Sequence, residues 1–328
     1  MSAPKVLISV LNWNSCANTL ALLTSIKDLK FKNYLILVID NNSSEEDKKK
    51  LNDITAENIE VILLNENYGF AGGHSIAVEY MFNNNYELIW LLNNDVTIFP
   101  DTLSELVQAY NKYGQGLYGS ISVYKDHNIE FAGGHELVNN NPSYEQNNIW
   151  EGKNYYDVRD SISERKVLNI HGSSMLIPAS VIKKHGFIDT SYFLYGEEYD
   201  YCINLFKNQI YSYLIPSSVI FHMGRGSSAI NQKLKIIASY YQKRNSILNK
   251  HKHWSLSKYE AIKKNGGIIK TCYYILKSLV IAYVFPLKKK SVLTAYDYNR
   301  YLFFYDQIAL WHFFLGRKGK TCKPENYL

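Results

Sequence analysis

Leu88-Ile89-Trp90-Leu91-Leu92-Asn93-Asn94-Asp95 decides how the chain is read: an apolar run passes directly into three polar residues, with Val96 and Ile98 beyond. A short, unbroken apolar run of this kind fits a strand buried on both faces, as in a parallel sheet. The same construction occurs three times upstream. Residues 6–11 end at Asn12-Trp13-Asn14, residues 34–39 at Asp40-Asn41-Asn42-Ser43-Ser44, and residues 61–64 at Asn65. Helical stretches alternate with these runs: residues 17–29, a charged stretch that Ser43 or Ser44 is placed to cap, and residues 74–82 after a turn from Gly69 to Gly73. Pro100 opens another helix. Strand–helix alternation predicts an α/β fold with helices on both faces of a parallel sheet, and such sheets bind ligands outside the carboxyl ends of their strands. Those ends carry Asn12, Asp40, Asn65 and Asp95.

Further along, residues 124–165 read as irregular loops and short hairpins. A strand follows at 167–170 with its continuation at 174–177. Then come a helix from Pro178 to near Gly186, a second over 197–206, and strands at 211–215 and 219–222. Past Gly226 only helical periodicity remains. The expected division is a catalytic domain over residues 1–228 and a helical region over 229–328.

A chain of 328 residues, 46% apolar and 20% charged, is long enough for a large α/β domain with an appendage and is not disordered in composition. The net charge of +6 hides an asymmetry: residues 1–230 carry 17 Lys and Arg against 26 Asp and Glu, whereas residues 231–328 carry 19 against 4. The basic tail is also aromatic, with Trp254, Tyr273-Tyr274, Phe303-Phe304, Trp311 and Phe313-Phe314. Two readings stand for it: a surface on anionic lipid, or a contact with another copy of the chain. No recognised nucleic-acid module accompanies the charge. Cys16, Cys202, Cys272 and Cys322 form no CxxC pair, which fits a reducing compartment. The N-terminus lacks a signal-peptide core, and residues 279–285, followed by Pro286 and Lys288-Lys289-Lys290, fall short of the ~20 apolar residues of a membrane span. The expected location is cytoplasmic, peripheral to the inner face of the cell membrane.

Several residues suit chemistry, each with a plainer alternative. Asp95, set among apolar neighbours, calls for a partner such as Mg²⁺ or Mn²⁺, or else caps the helix at Pro100. Asp40 suits a base or ribose, or a helix cap. Glu197-Glu198-Tyr199-Asp200 follows an aromatic stretch ending Tyr195-Gly196 and offers a general base, or an acidic first helical turn. His222 completes a metal shell or is structural, and Arg225 pairs with phosphate or is a surface residue. No G-x-G-x-x-G follows the first strand, which disfavours a nicotinamide enzyme.

In order along the chain, Ile8-Ser9-Val10-Leu11-Asn12-Trp13-Asn14, Val38-Ile39-Asp40-Asn41-Asn42-Ser43-Ser44, Asn65-Glu66-Asn67-Tyr68-Gly69-Phe70-Ala71-Gly72-Gly73 and Leu91-Leu92-Asn93-Asn94-Asp95-Val96 resemble motifs of the inverting family-2 glycosyltransferases. Gly172-Ser173-Ser174-Met175-Leu176-Ile177, Phe193 to Cys202, and His222-Met223-Gly224-Arg225-Gly226-Ser227 continue the likeness, most closely to the rhamnosyltransferase-like branch that builds bacterial surface polysaccharides. Tyr240-Tyr241, Arg244-Asn245 and Phe314 to Gly319 extend it more loosely into the tail.

The resemblance implies a GT-A, Rossmann-like, mixed and mostly parallel sheet flanked by helices. It also implies a metal-dependent hexosyltransferase using a dTDP- or UDP-linked sugar, L-rhamnose first, and a glycan or lipid-linked acceptor. It assigns the metal to Asp95 and His222, and the base to Glu198, where the family has Asp. Donor contacts fall to Asn12, Asp40, Asn65, Gly69, Asn93, Asn94 and Arg225, and acceptor contacts to Glu197, Asp200 and Tyr195. Asn93 replaces the first acid of the family's Asp-x-Asp motif, so the metal rests on Asp95, His222 and diphosphate oxygens. The rivals are a non-catalytic scaffold on the same fold and a nucleotidyltransferase; the latter calls for a Gly-rich basic turn after the first strand, which this chain lacks.

Overall fold

A computed structural model describes residues 3–54, 56–138, 141–142, 150–223, 231–255 and 294–323, with residues 257, 258, 260, 272, 273 and 276 between the last two. Residues Met1–Ile188 with Glu198–Gly224 make one compact unit, and Asp189–Glu197 with Arg225–Leu328 a second.

In the first unit β1 (Val6–Asn12), β2 (Tyr34–Asp40), β3 (Ile59–Leu63) and β4 (Leu88–Asn93) alternate with α1 (Cys16–Ile26), α2 (Glu45–Asn52) and α3 (Gly69–Asn83). These strands pair in parallel in the order β3-β2-β1-β4. Val6, Leu7, Ile8, Val10 and Leu88 to Leu92 are fully buried, as strands covered on both faces must be. Ser44 caps α2, its side chain accepting from Asp47 N.

After β5 (Val96–Ile98) and α4 (Thr102–Tyr113) come β6 (Gly116–Val123), β7 (Ile129–Phe131), β8 (Gly134–Val138), β9 (Asn141–Pro142) and the short α5 (Tyr155–Val158). Then follow β10 (Arg165–Asn169), β11 (Ser174–Pro178), α6 (Ala179–His185), α7 (Glu197–Lys207) and β12 (Tyr211–His222). The sheet continues past β4 as β11-β6-β12-β10-β8-β9, with β11 antiparallel to both neighbours. The fold is mixed α/β, a sheet flanked by helices.

Three expectations change. Residues 167–170 and 174–177 are not one strand continued: β11 lies between β4 and β6, while β10 lies beyond β12. The predicted strands 211–215 and 219–222 are one strand, β12, with a register shift between Ile215 and Val219. Pro216, which has no N–H to give the ladder, falls inside that shift. β6 is a strand with no sequence signal, since Gly116-Leu117-Tyr118-Gly119-Ser120-Ile121-Ser122-Val123 is half Gly and Ser, yet every residue in it is buried. Its serines are satisfied internally. Trp90 Nε1 donates to Ser174 Oγ at 3.0 Å, Ser120 Oγ lies 2.7 Å from both Ser174 Oγ and Ser218 Oγ, and Ser218 Oγ donates to Thr102 O at 3.0 Å. That chain ties β4, β11, β6 and β12 together.

In the second unit α8 (Gln232–Trp254) packs on α9 (Ala295–Phe314) around Tyr240, Tyr241, Tyr301 and Phe304. No helix among the described residues is long and apolar enough to cross a membrane; residues 279–285 and Lys288 to Lys290 lie outside them.

His74 on α3 is fully buried, its Nδ1 2.7 Å from Ser9 Oγ, and burial pushes its pKa down to about 3. The unfolded chain takes up that proton near pH 6.5, whereas the folded chain does so only near pH 3, so the imidazole makes stability fall as pH drops across that window. The slope is up to about 1.4 kcal/mol per pH unit. Urea unfolding of His74→Leu between pH 7 and 4.5 is expected to show a pH slope shallower by about one proton; equal slopes would mean that His74 is protonated in the fold.

Candidate active site

Chain order in the sheet reverses at β1 and β4, the crevice where open α/β sheets bind ligands. The register puts Asn12 beside Asp40 and Leu11 beside Asn93, so the polar strand ends meet on one edge. There they bond to one another. Asn12 Nδ2 donates to Asp40 Oδ1 at 2.9 Å and to Ser43 Oγ at 3.1 Å; Asp40 also accepts from Ser43 N and Ser43 Oγ. Asn94 Nδ2 donates to Asn12 Oδ1, Ser15 O and Thr19 Oγ1 at 3.2, 3.3 and 3.0 Å. Asp40 and Asn12 are fully buried. Asn65, two residues past β3, is exposed and Asn93 at the end of β4 is half-buried.

Asn41, quoted in the motif but given no role from sequence, holds the next turn. Its Nδ2 donates to Gly69 O at 3.0 Å and its Oδ1 accepts from Tyr68 N at 2.8 Å. Gly69 adopts φ +74, which favours glycine, and the turn starts α3 there instead of at residue 74. A side chain at Gly73 would collide with Leu11, so β1 and α3 approach closely at this point.

β5 pairs antiparallel with β12 so that His222 lies opposite Val96. This register, across 127 residues of chain, sets His222 Nε2 3.1 Å from Asp95 Oδ1. On the other side of the ring His222 Nδ1 lies 2.5 Å from Glu130 Oε2, which also accepts from Ser122 Oγ at 2.6 Å. Burial opposes a charge on His222, but hydrogen bonds to Asp95 and Glu130 outweigh it and raise the imidazole to about 10. Burial likewise opposes the Glu130 carboxylate, yet His222 and then His171 and Ser122 bring it down to about 2. His171 stands close by, its ring 6.1 Å from that of His222 and its Nδ1 2.8 Å from Ser173 Oγ. Glu130 was missed from sequence: Ile129-Glu130-Phe131 sits in a stretch without periodicity, and its role depends on the pairing of β7 with β6.

Among the described residues no group of three or more His, Cys, Asp and Glu side chains is placed to hold a metal ion. The geometry explains this, since Glu130 and Asp95 lie against opposite nitrogens of His222 and do not converge. Asp95 and His222 could still contribute two ligands to a divalent cation. A cation arriving between His222 and Asp95 would displace the Nε2 proton, and Nδ1–H would stay on Glu130, as in carboxylate–histidine–metal arrangements. With one carboxylate oxygen and one imidazole nitrogen from the chain, such an ion would take its other ligands from water and a bound anion.

On α7, Glu197 and Asp200 are buried, at 2% and 1% exposure, and Asp200 Oδ2 accepts from Asn204 Nδ2 at 3.0 Å. Glu198 alone of the three is half-buried and reaches solvent. Tyr195 and Glu197 belong to the second unit. There Phe193 and Tyr195 adopt φ +69 and +66, held by Asn245 Nδ2 donating to Leu194 O and Tyr195 O at 2.8 and 2.7 Å and by Asn249 Nδ2 donating to Gly196 O at 2.9 Å. Arg225 lies outside the described residues.

A model of the family described as Glycosyl transferase family 2 matches residues 7–186, more than half of the chain. The chain is 26% identical over 177 residues to the low-salt glycan biosynthesis hexosyltransferase Agl10 of Haloferax volcanii, covering 53% of this chain and 54% of that protein. It is 22% identical over 228 residues to the dTDP-rhamnosyl transferase RfbF of Shigella flexneri, covering 68% and 73%. Its fold is similar to that of the mannosyltransferase PcManGT from Pyrobaculum calidifontis in complex with GDP-Man and Mn²⁺ (TM-score 0.52, 13% identity, 94% of this chain and 86% of that one). GalNAc-T7 with UDP, GalNAc and Mn²⁺ is also similar (TM-score 0.52, 12% identity, 74% and 50%). The match thus spans about half the length of Agl10 and of the GalNAc-T7 chain. These likenesses show a GT-A fold.

Removing Glu130 leaves a buried imidazole with one of its two anions. Glu130→Ala, unfolded by urea in EDTA at pH 7, is expected to lose about 2–4 kcal/mol, and Glu130→Gln, which keeps an acceptor, clearly less. Equal stability of Glu130→Ala and wild type would show the contact to be incidental.

Proposed function

The chain belongs to glycosyl transferase family 2, and on that premise we propose that it transfers a sugar from a nucleoside-diphosphate donor to an acceptor hydroxyl with inversion at the anomeric carbon. The observation that carries this reading is the approach of His222 Nε2 to within 3.1 Å of Asp95 Oδ1 beside the β1/β4 crevice. Asp95 and His222 are the proposed ligands of Mg²⁺ or Mn²⁺, which when bound neutralises the departing nucleoside diphosphate. Glu130 keeps the His222 ring in place for that task.

Glu198 is the proposed base. Its solvent access suits a group that must meet an acceptor, whereas Glu197 and Asp200 are buried beside it. The proton on the acceptor oxygen passes to the Glu198 carboxylate as that oxygen attacks the anomeric carbon. The carbon–oxygen bond to the diphosphate breaks on the opposite side, with inversion. Asn65 and Asn93 offer free edges to the donor, and Gly69 lets the backbone approach it. Asn12, Asp40 and Asn94 have their polar groups engaged with one another and with neighbours, so their proposed part in donor binding is to hold the β1 and β2 ends rigid beneath the nucleotide. Arg225 is retained as a phosphate contact, and Tyr195, Glu197 and Asp200 as the support of the acceptor.

The similarity to RfbF makes dTDP-L-rhamnose the first donor to try, ahead of UDP-linked hexoses, and a glycan or lipid-linked acceptor of surface polysaccharide synthesis the first acceptor. A peripheral place at the inner face of the membrane is part of this reading.

Thermal shift with dTDP- and UDP-sugars and Mn²⁺, followed by turnover with the donor that binds, tests the proposal. Glu198→Gln is expected to keep donor binding and lose at least about 100-fold in kcat. Asp95→Ala is expected to lose the Mn²⁺-dependent part of the donor's stabilisation. Near-normal turnover by Glu198→Gln would remove it as base, and binding of no nucleotide sugar would favour a non-catalytic scaffold.

A further inference from the structure

The second unit contains a cavity of about 510 Å³ lined by Arg244, Leu248, His251, Lys252, Lys258, Phe313, Gly316, Arg317 and Lys318. Among the described residues no carboxylate lines it. α8 and α9 run the same way, with Ser239 meeting Asp306 and His251 packing on Phe313, so both helices end at this cavity. Arg244, Leu248, His251 and Lys252 recur at helical spacing along α8. On the other side α9 ends in a turn with Gly316 at φ +70, which presents Arg317 and Lys318.

The plain explanation is that cations gather at helix C-termini to balance the helix dipoles. Its size is insufficient: two helix ends together carry about one negative charge, against the four cations Arg244, Lys258, Arg317 and Lys318 on the cavity wall. Arg244 sharpens the point. It is 1% exposed, and its guanidinium donates only to neutral oxygens: Asn245 Oδ1 at 2.9 Å, Gly319 O and Thr321 Oγ1 at 2.8 Å, and Tyr192 O at 2.7 Å. Those bonds account for its geometry, and its stacking over Tyr241 at 4.9 Å offsets part of its charge. Among the described residues, none of Arg244, Lys258, Arg317 and Lys318 has a carboxylate within ion-pair distance. Neighbouring His312 feels the same field: burial first, then the charges of Arg317 and Arg244, lower it to about 4. A buried cation held only by neutral acceptors is costly unless an anion comes to it.

We infer that this cavity is a second anion site, taking a phosphate or diphosphate ester whose apolar portion lies on Leu248 and Phe313. Arg244, Lys258, Arg317 and Lys318, less about one negative charge from the helix ends, leave about +3, the charge of a fully ionised diphosphate ester; the volume is that of a small-ligand pocket. Two sources share this chemistry, a phospholipid headgroup and a prenyl-type diphosphate. The site shares no residue with the Asp95–His222 pair and does not depend on the transferase reading.

Full-length protein in EDTA is titrated calorimetrically with inorganic diphosphate and with a short prenyl diphosphate, and its flotation is measured with phosphatidylglycerol-containing and pure phosphatidylcholine vesicles. Wild type is expected to bind diphosphate. Arg317→Glu/Lys318→Glu should weaken it at least about tenfold, while Arg317→Lys/Lys318→Arg stays within about twofold. Tighter binding of the prenyl diphosphate than of inorganic diphosphate identifies a diphosphate ester as the source; flotation only with the anionic vesicles, lost in the charge-reversed variant, identifies a headgroup. Absence of both diphosphate binding and anionic flotation in wild type, or indifference of both to charge reversal, overturns the inference.

Discussion

An imidazole held between two carboxylates inside the fold is the constraint around which the first unit is arranged. His222 is 5% exposed, with Asp95 against one nitrogen and Glu130 against the other, and these two carboxylates favour the charge that burial opposes. Each contact comes from a different strand pairing: Asp95 through β5 with β12, Glu130 through β7 with β6. Desolvating such a group is expensive, so its neighbours cannot slip by a residue without stranding a charge. A cation could take the place of the Nε2 proton there, because Glu130 ties down Nδ1 and Nε2 points where Asp95 does.

Around this pair the strand ends are stiffened by neutral hydrogen bonds. Asn12, Asp40, Ser43, Thr19 and Asn94 satisfy one another at the β1/β4 crevice, and Asn41 shapes the Gly69 turn beside them. A network of this kind keeps its form when a ligand arrives, because few of its groups have to change partner. The polar signature of the strand ends therefore has two layers: residues that build the platform, and Asn65, Asn93 and Asp95 at its edge.

The second unit is organised by a different balance. Arg244, Asn245 and Asn249 on α8 bind the backbone of residues 192–196 and hold two non-glycine residues at positive φ just before Glu197. Such conformations cost of order 1–3 kcal/mol each, and they persist where surrounding bonds fix them. The aromatic run ahead of the acidic cluster is thus a loop built by side chains some 50 residues later in the chain. Five of the Lys and Arg side chains of this unit gather at the shared end of α8 and α9.

The parallel half of the sheet was legible because each of β1 to β4 is a short apolar run with a polar stop, and burial on both faces demands that pattern. Asp95 and His222 could be named as partners from the family resemblance, but their approach is a matter of register between strands more than a hundred residues apart. β6 was invisible since its burial, unlike that of β4, is satisfied by Gly and Ser whose hydroxyls bond across strands. Splitting residues 167–177 into two strands, and merging 211–222 into one, depended on which partners each segment found. Glu130 carried no local signal at all. Local sequence determined which segments would be buried and where they would stop; the tertiary structure decided which charges met, because a carboxylate and an imidazole attract only where the backbone pairing first brings them within a few ångströms.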